Sequence, residues 1–228
     1  MEQETILKIE QSIKNLESKS ARIYFLVQDT KGNAKAGIRF IYQMAKSLKD
    51  NGFNPIILHE TQAYQGVAEW MGAEYMEIPH NAIENQNLQI SPEDIVVIPE
   101  IYGHVMEQIS KLPCGKIVLC QAYDHMLETL SPGISWSQYG FMKCITTSDL
   151  QKEHVSKIMK NVSFDIVEPL IPELFNKKEK PAKPIVCIHT REPRDTMKIV
   201  KEFYLKYPQY RWITFRDMRA TNQEEFAR

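Results

Sequence analysis

Two short stretches each set a carboxylate, an imidazole and an aromatic ring close together: Pro99-Glu100-Ile101-Tyr102-Gly103-His104 and Gln121-Ala122-Tyr123-Asp124-His125. That mixture suits the orientation of sugar hydroxyls and the movement of protons. Glu100 and His125 are the candidate catalytic groups. Tyr102, His104, Tyr123 and Asp124 are candidates for binding hydroxyl groups. A structural reading stands beside the chemical one, in which the histidines cap helices or lie on the surface and the acids occupy helix N-termini.

Two further stretches suit phosphate. In Lys31-Gly32-Asn33-Ala34-Lys35-Ala36-Gly37, Gly32, Asn33 and Gly37 would let backbone approach a ligand at the start of a helix, where N–H groups and the dipole favour an anion. The bland alternative is a turn that needs glycine for positive φ. In His189-Thr190-Arg191-Glu192-Pro193-Arg194-Asp195, Arg191 and Arg194 could form charge-assisted hydrogen bonds to phosphate oxygens, or simply pair with Glu192 and Asp195 in solvent. Thr146-Thr147-Ser148-Asp149 reads as helix capping. No H-E-x-x-H, paired-cysteine metal motif or G-x-S-x-G nucleophile elbow occurs.

The elements that must position these residues alternate. Ile23 to Val27 is a β-prone run, followed by a turn and a helix over 38–49 that stops at Asn51-Gly52. Strands are expected at 55–58, 75–78, 95–98, 116–120, 144–147 and 164–167. Intervening helices fall at 64–71, 105–112 and 150–159. Ile95-Val96-Val97-Ile98 and Ile117-Val118-Leu119-Cys120 are continuous rather than alternating apolar runs, as parallel strands buried on both faces require. The expected fold is α/β, a doubly wound, mostly parallel sheet with helices on both faces. All the stretches singled out above then follow strands, which is where open α/β sheets bind ligands.

Four units are expected. Residues 1–20 hold an amphipathic helix over 5–16, with Ile6, Leu7, Ile9, Ile13 and Leu16 at helical spacing. Residues 21–170 form the main domain, and the proline-spaced, charged stretch 171–183 is a linker. Residues 184–228 restart the rhythm with a strand at 185–189, a helix at 196–207 and a strand at 211–215, and are expected to be an incomplete second domain.

Hydrophobic residues at 43% and charged residues at 25% describe an ordinary globular chain rather than a disordered one. Twenty-eight basic against 29 acidic side chains leave a net charge of -1, so no global field draws the chain to nucleic acid. No apolar run is long enough to span a bilayer, and Met1-Glu2-Gln3-Glu4 lacks the features of an export signal. Cys114, Cys120, Cys144 and Cys187 are scattered and read as buried thiols of a reducing compartment. A cytoplasmic location follows, with a peripheral position at the inner membrane face as a variant.

Taken in order, several features give a resemblance to GT-B glycosyltransferases of the group 1, family-4-like type. They are the loop from Gly32 to Gly37 with the helix behind it, Asp94 to Glu100 with Tyr102-Gly103, Lys116 to Tyr123, Ile145 to Ser148, and Pro169 to Phe175. The resemblance implies two Rossmann-like domains, the first holding the acceptor and the second the nucleotide sugar, with residues 184–228 as the start of the second. It implies transfer of a sugar from a nucleotide-sugar donor to a glycan or other hydroxyl acceptor, with no metal or other cofactor. Gly32 to Gly37 and the pair Arg191 and Arg194 would face the donor diphosphate. The chain departs from the family pattern in lacking adjacent glycines in the first loop, and in having Arg191-Glu192 where Arg-Lys is usual. The family's acidic donor motif has no counterpart among these residues.

Three other readings share the rhythm. A dinucleotide-dependent oxidoreductase or epimerase would carry G-x-G-x-x-G, whereas this loop reads Gly32-Asn33-Ala34-Lys35-Ala36-Gly37. A periplasmic-type binding protein would carry an export signal. A non-catalytic glycosyltransferase-like binding module keeps the fold without the reaction.

Overall fold

A computed structural model of the chain describes residues 21–31, 35–64, 71–171, 185–188 and 193–214. The expected helix at 5–16, most of that at 64–71 and the linker after 171 lie outside the described residues. The chain divides into two compact units, Met1–Leu170 and Ile171–Arg228.

The first unit is built on seven parallel strands: β1 (Arg22–Val27), β2 (Asn54–His59), β3 (His80–Ala82), β4 (Ile95–Pro99), β5 (Gly115–Cys120), β6 (Lys143–Thr146) and β7 (Ser163–Ile166). Their order is β3-β2-β1-β4-β5-β6-β7. Every neighbouring pair is parallel, which makes the expected mostly parallel sheet a fully parallel one. The order reverses between β1 and β4, so the two chain ends leaving those strands diverge and open a crevice at the carboxyl edge.

Residue parity assigns the faces. Tyr24, Leu26, Val96, Ile98, Val118 and Cys120 pack on one side with Met106, Met126 and Val155. These three come from helices α2 (Met106–Ser110), α3 (Tyr123–Thr129) and α4 (Asp149–Ile158). Ile23, Phe25, Val27, Ile95 and Val97 point the other way, toward α1 (Ala36–Asp50), which contributes Ile38, Phe40, Ile41, Tyr42 and Ala45. Gly52 ends α1 at φ 82°, with Gly52 N–H donating to Lys49 O and Phe53 N–H to Leu48 O, a paired closure that favours glycine.

A single buried carboxylate fixes where β1 and β4 begin. Asp94 receives the Arg22 backbone N–H at 3.1 Å, the guanidinium Nε at 3.0 Å and Nη2 at 2.6 Å, together with Ser91 N–H and Oγ. Burial opposes its charge, but the bonds from Arg22 and Ser91 outweigh that cost and hold the carboxyl below its usual range.

One expected strand is misplaced. Residues 75–78 do not pair. Ala73–Glu77 is a 3-10 turn, and the strand is His80–Ala82. Tyr75, Met76 and Ile78 give an apolar run that reads as a strand, yet Tyr75 and Ile78, three residues apart, lie on one side of a 3-10 turn. There Tyr75 packs edge-on against Tyr42 of α1 at 6.5 Å and Ile78 is buried. The expected helix at 105–112 is likewise divided into a 3-10 segment, Glu100–Val105, and the short α2.

β2 and β3 carry a buried imidazole pair. His59 Nε2 lies 2.8 Å from His80 Nδ1, and Tyr64 stacks on His59 at 3.7 Å. Burial, helped by His80, lowers the His59 pKa to about 4, with Asp29 pulling weakly the other way, and burial lowers His80 as well. Protonation would add a buried N–H donor, and among the described residues His59 Nδ1 and His80 Nε2 have no hydrogen-bond partner. The unfolded chain binds this proton near pH 6.5 and the folded chain near 4, so the His59 contribution is whole above 6.5 and is lost as pH falls to 4. Urea unfolding at pH 7.0 and 4.5 should show a loss on the order of 2 kcal/mol, and His59→Phe should flatten that difference.

The second unit contains β8 (Ile185–Ile188), α5 (Pro193–Lys206) and β9 (Arg211–Thr214). β8 and β9 are parallel, pairing Ile185 with Arg211 through Ile188 with Thr214, so this is a β-α-β unit. Phe203, Tyr207 and Tyr210 pack on one another at its C-terminal turn.

Candidate functional site

Gly37, Glu100, Tyr102, His104, Tyr123, Asp124 and His125 lie in the segments that leave the carboxyl ends of β1, β4 and β5, where they take different roles. Glu100 is 2% exposed and immediately follows β4. Its Oε2 accepts the Gln121 N–H at 3.0 Å and its Oε1 the Ala122 N–H at 2.8 Å. Burial pushes this carboxyl above its usual range, opposed by those backbone bonds and by the charge of His125. Glu100 therefore staples the β4 and β5 loops together, with both oxygens engaged. Its own carbonyl accepts Thr129 Oγ1, which also bonds His125 O and so anchors α3. Gly103 permits this packing, because a Cβ there would stand 2.5 Å from Thr129 Oγ1 and 2.8 Å from Thr129 O.

Tyr102 is buried among the residues facing α2 to α4, and its hydroxyl donates to Glu60 Oε1 at 2.8 Å. Glu60 follows β2 and Tyr102 follows β4, so the bond spans the end of β1 and closes the crevice on that face. Burial, then Glu60, raises the phenol pKa far above its usual value. His104 is exposed, its ring 6.2 Å from Tyr102. Tyr123, Asp124 and His125 form the first turn of α3. Tyr123 lies parallel to His154 of α4 at 5.8 Å, Asp124 is exposed, and His125 Nδ1 is 3.5 Å from Glu128. This trio is open to solvent, whereas Glu100 and Tyr102 are not.

On the other side of the crevice, α1 starts without an acidic residue in its first turn, and its N-cap residue, Lys35, makes no side-chain capping bond. Arg39 lies in that first turn and Lys31 precedes it along the chain. No carboxylate of that turn neutralises its amide donors and the positive end of the dipole. Gly37 brings this terminus against Gln121, whose Oε1 stands 2.7 Å from where a Cβ would be. Gln121 is held in turn by Gln151 Nε2 on its carbonyl, while Gln151 Oε1 accepts Thr147 N–H at 3.0 Å and Oγ1 at 2.6 Å. Ser148 caps α4 as expected, accepting the Gln151 N–H. Glu100 and Gln151 thereby tie the loops after β4, β5 and β6 into one rim.

Gly32, Asn33 and Arg191 lie outside the described residues. Arg194 is exposed in the first turn of α5. Glu60, Gln121, Thr129 and Gln151 were not singled out from sequence as site residues. Their partners are backbone groups or side chains distant along the chain, so spacing carries no signal for them. Cys114, Cys120 and Cys144 are buried and free, with burial pushing the Cys144 thiol up to about 12. Among the described residues no group of three or more metal-ligating side chains could hold an ion, and no helix is long and apolar enough to cross a membrane.

Sheet order, crossover faces and the crevice at the β1/β4 reversal define an α/β protein of the doubly wound, Rossmann-like kind. Comparison with family models, curated proteins and solved structures found no match.

Proposed function

We propose that this chain takes part in glycosyl transfer, binding a nucleotide sugar and passing its sugar to an acceptor hydroxyl. The observation that carries the reading is the carboxylate-free start of α1, which meets Gln121 at the β1/β4 crevice beside the exposed Tyr123 and Asp124 and the half-buried His125. An anion-binding helix end next to hydroxyl-binding and proton-accepting groups matches what the transfer requires.

In this reading the acceptor oxygen attacks the anomeric carbon, the bond to the diphosphate breaks, and His125 takes the hydroxyl proton. The α1 amides stabilise the departing diphosphate, and Arg191 and Arg194 keep their sequence reading as phosphate-binding residues. Glu100 acts as a positioning residue, since both oxygens are committed to the rim. Tyr102 and Glu60 likewise shape the crevice, while Tyr123 supplies a flat exposed ring for a sugar face.

The reading is tested by incubating the protein with a panel of nucleotide sugars and hydroxyl acceptors and measuring nucleoside diphosphate release. Release from one donor, dependent on acceptor, is the expected result. Oxidation or epimerisation with NAD(H) and no diphosphate release would replace it with the oxidoreductase reading. Arg191→Ala should weaken nucleoside diphosphate binding about tenfold, the loss of one charge-assisted hydrogen bond. Binding as tight as the parent's would remove Arg191 from the donor site.

A further inference from the structure

The seven-stranded sheet ends at β7, and among the described residues no strand pairs with its outer side. The opposite edge is blunted. There β3 is three residues long and directly follows Pro79, two features that discourage further pairing. β7, Ser163-Phe164-Asp165-Ile166, has no proline, glycine or lysine, and both Ser163 and Asp165 are exposed.

The pairing with β6 fixes which backbone groups of β7 face outward. Ser163 N–H donates to Met142 O and Val167 N–H to Thr146 O, so Ser163, Asp165 and Val167 turn their backbone groups toward β6. Phe164 and Ile166, lying between them, present theirs at the open edge. Side chains alternate as well. Phe164 packs with the residues facing α2 to α4, whereas Ser163 and Asp165 lie on the opposite face beside Lys143 and Ile145 of β6.

We propose that β7 pairs antiparallel with β7 of a second copy across a two-fold axis at Phe164, joining the two sheets into one. Charge selects both the occupant and the register. A two-fold pairing that uses the outward groups of Phe164 and Ile166 can be centred on Phe164, Asp165 or Ile166. Centring on Asp165 sets two carboxylates side by side, and centring on Ile166 sets Asp165 against the apolar Val167 and Phe164 against Glu168. Centring on Phe164 avoids both. The two phenyl rings become cross-strand neighbours, Ile166 comes opposite Val162 of the second copy, and Ser163 faces Asp165 of the second copy. Exposed Lys143 stands next to Ser163 in the same row, so that carboxylate meets a hydroxyl and, one strand further in, a cation. Each copy supplies both the Ser163 and the Asp165 side, so the match is made twice, which an unrelated extended peptide would not do.

The test is sedimentation equilibrium on the full chain over a concentration series, with urea unfolding to confirm that each variant is folded. The parent should dimerise reversibly. Ser163→Asp, which sets carboxylates against each other at both ends of the pairing, should weaken the dimer about tenfold, and Ser163→Lys should strengthen it. Combining Ser163→Asp with Asp165→Ser exchanges the two side chains across the axis and should restore the parent's affinity. Both positions are exposed, so the monomer should keep its fold, and Ser163→Lys carries the test alone if Ser163→Asp does not. A parent that stays monomeric at its highest soluble concentration would overturn the proposal, as would a dimer indifferent to the Ser163 variants. Tighter association on Asp165→Ser alone would place the axis at Asp165 and overturn the register.

Discussion

Asp94→Ala should lower the unfolding free energy by about 2 kcal/mol, because the Arg22 and Ser91 donors lose their acceptor while the Arg22 side chain, 40% exposed, can turn to water. Five donor groups converge on that carboxylate, from the Arg22 backbone, two guanidinium nitrogens and both polar groups of Ser91. Removing it frees the β1 start, whose neighbours on either side are β2 and β4. Asp94→Asn should cost less, because the amide keeps one acceptor and the shape. The pH dependence has a defined sign: the Asp94 pKa is depressed, so its contribution is present above about 3.8 and is lost as pH falls through its folded value. Urea midpoints for the parent and both variants at pH 7 check this, and an Asp94→Ala loss under 1 kcal/mol would show that the pair does not hold the register.

Glu100→Ala should cost about 3 kcal/mol, because the Gln121 and Ala122 N–H groups lose their acceptor inside the rim at roughly 1–3 kcal/mol each. The effect extends to the crevice. Gln121 faces Gly37, and α3 begins at Tyr123, so the first turn that carries Tyr123, Asp124 and His125 loses its anchor. Glu100→Gln separates charge from connectivity. The neutral amide avoids the burial cost that raises the Glu100 pKa, but it turns an NH₂ toward a backbone N–H, so a loss of about 1 kcal/mol is expected. Because the raised pKa stabilises the fold toward low pH, opposite in sign to His59, Glu100→Gln should also steepen the decline between pH 6.5 and 4. Denaturation at pH 7 and pH 4.5, read by far-UV circular dichroism, measures both effects.

The two variants rest on features that differ in how far the sequence reveals them. β1, β4 and β5 are legible because strands buried on both faces need unbroken apolar runs, and Ile23-Tyr24-Phe25-Leu26-Val27 has no other economical use. The end of α1 is legible too, since Asn51-Gly52 is a local stop signal. Tyr75 to Ile78 misleads because its two apolar positions satisfy both a strand and a 3-10 turn, and the edge-on contact with Tyr42 decides between them. At the site, sequence places the right loops at the carboxyl edge but not the direction each side chain takes. A carboxylate after a strand looks the same whether it faces solvent, like Asp124, or turns inward to two backbone amides 21 and 22 residues away, like Glu100. Gly37 reads as conformational freedom, yet its use is close approach to Gln121, a contact between loops that no local pattern encodes.

The most direct test of nucleotide-sugar binding at the α1 terminus is calorimetric titration of the parent and Ala36→Asp with UDP, GDP, their sugars and NAD(H). Ala36 is exposed at the first position of α1, and an acid there complements the helix dipole, so the fold should be unharmed. The same acid would sit where the diphosphate binds. The expected result is that the parent binds one nucleoside diphosphate and its sugar in preference to NAD(H), and that Ala36→Asp weakens this at least tenfold without lowering thermal stability. Binding of NAD(H) alone, or nucleoside diphosphate affinity equal in the two proteins, would contradict the account.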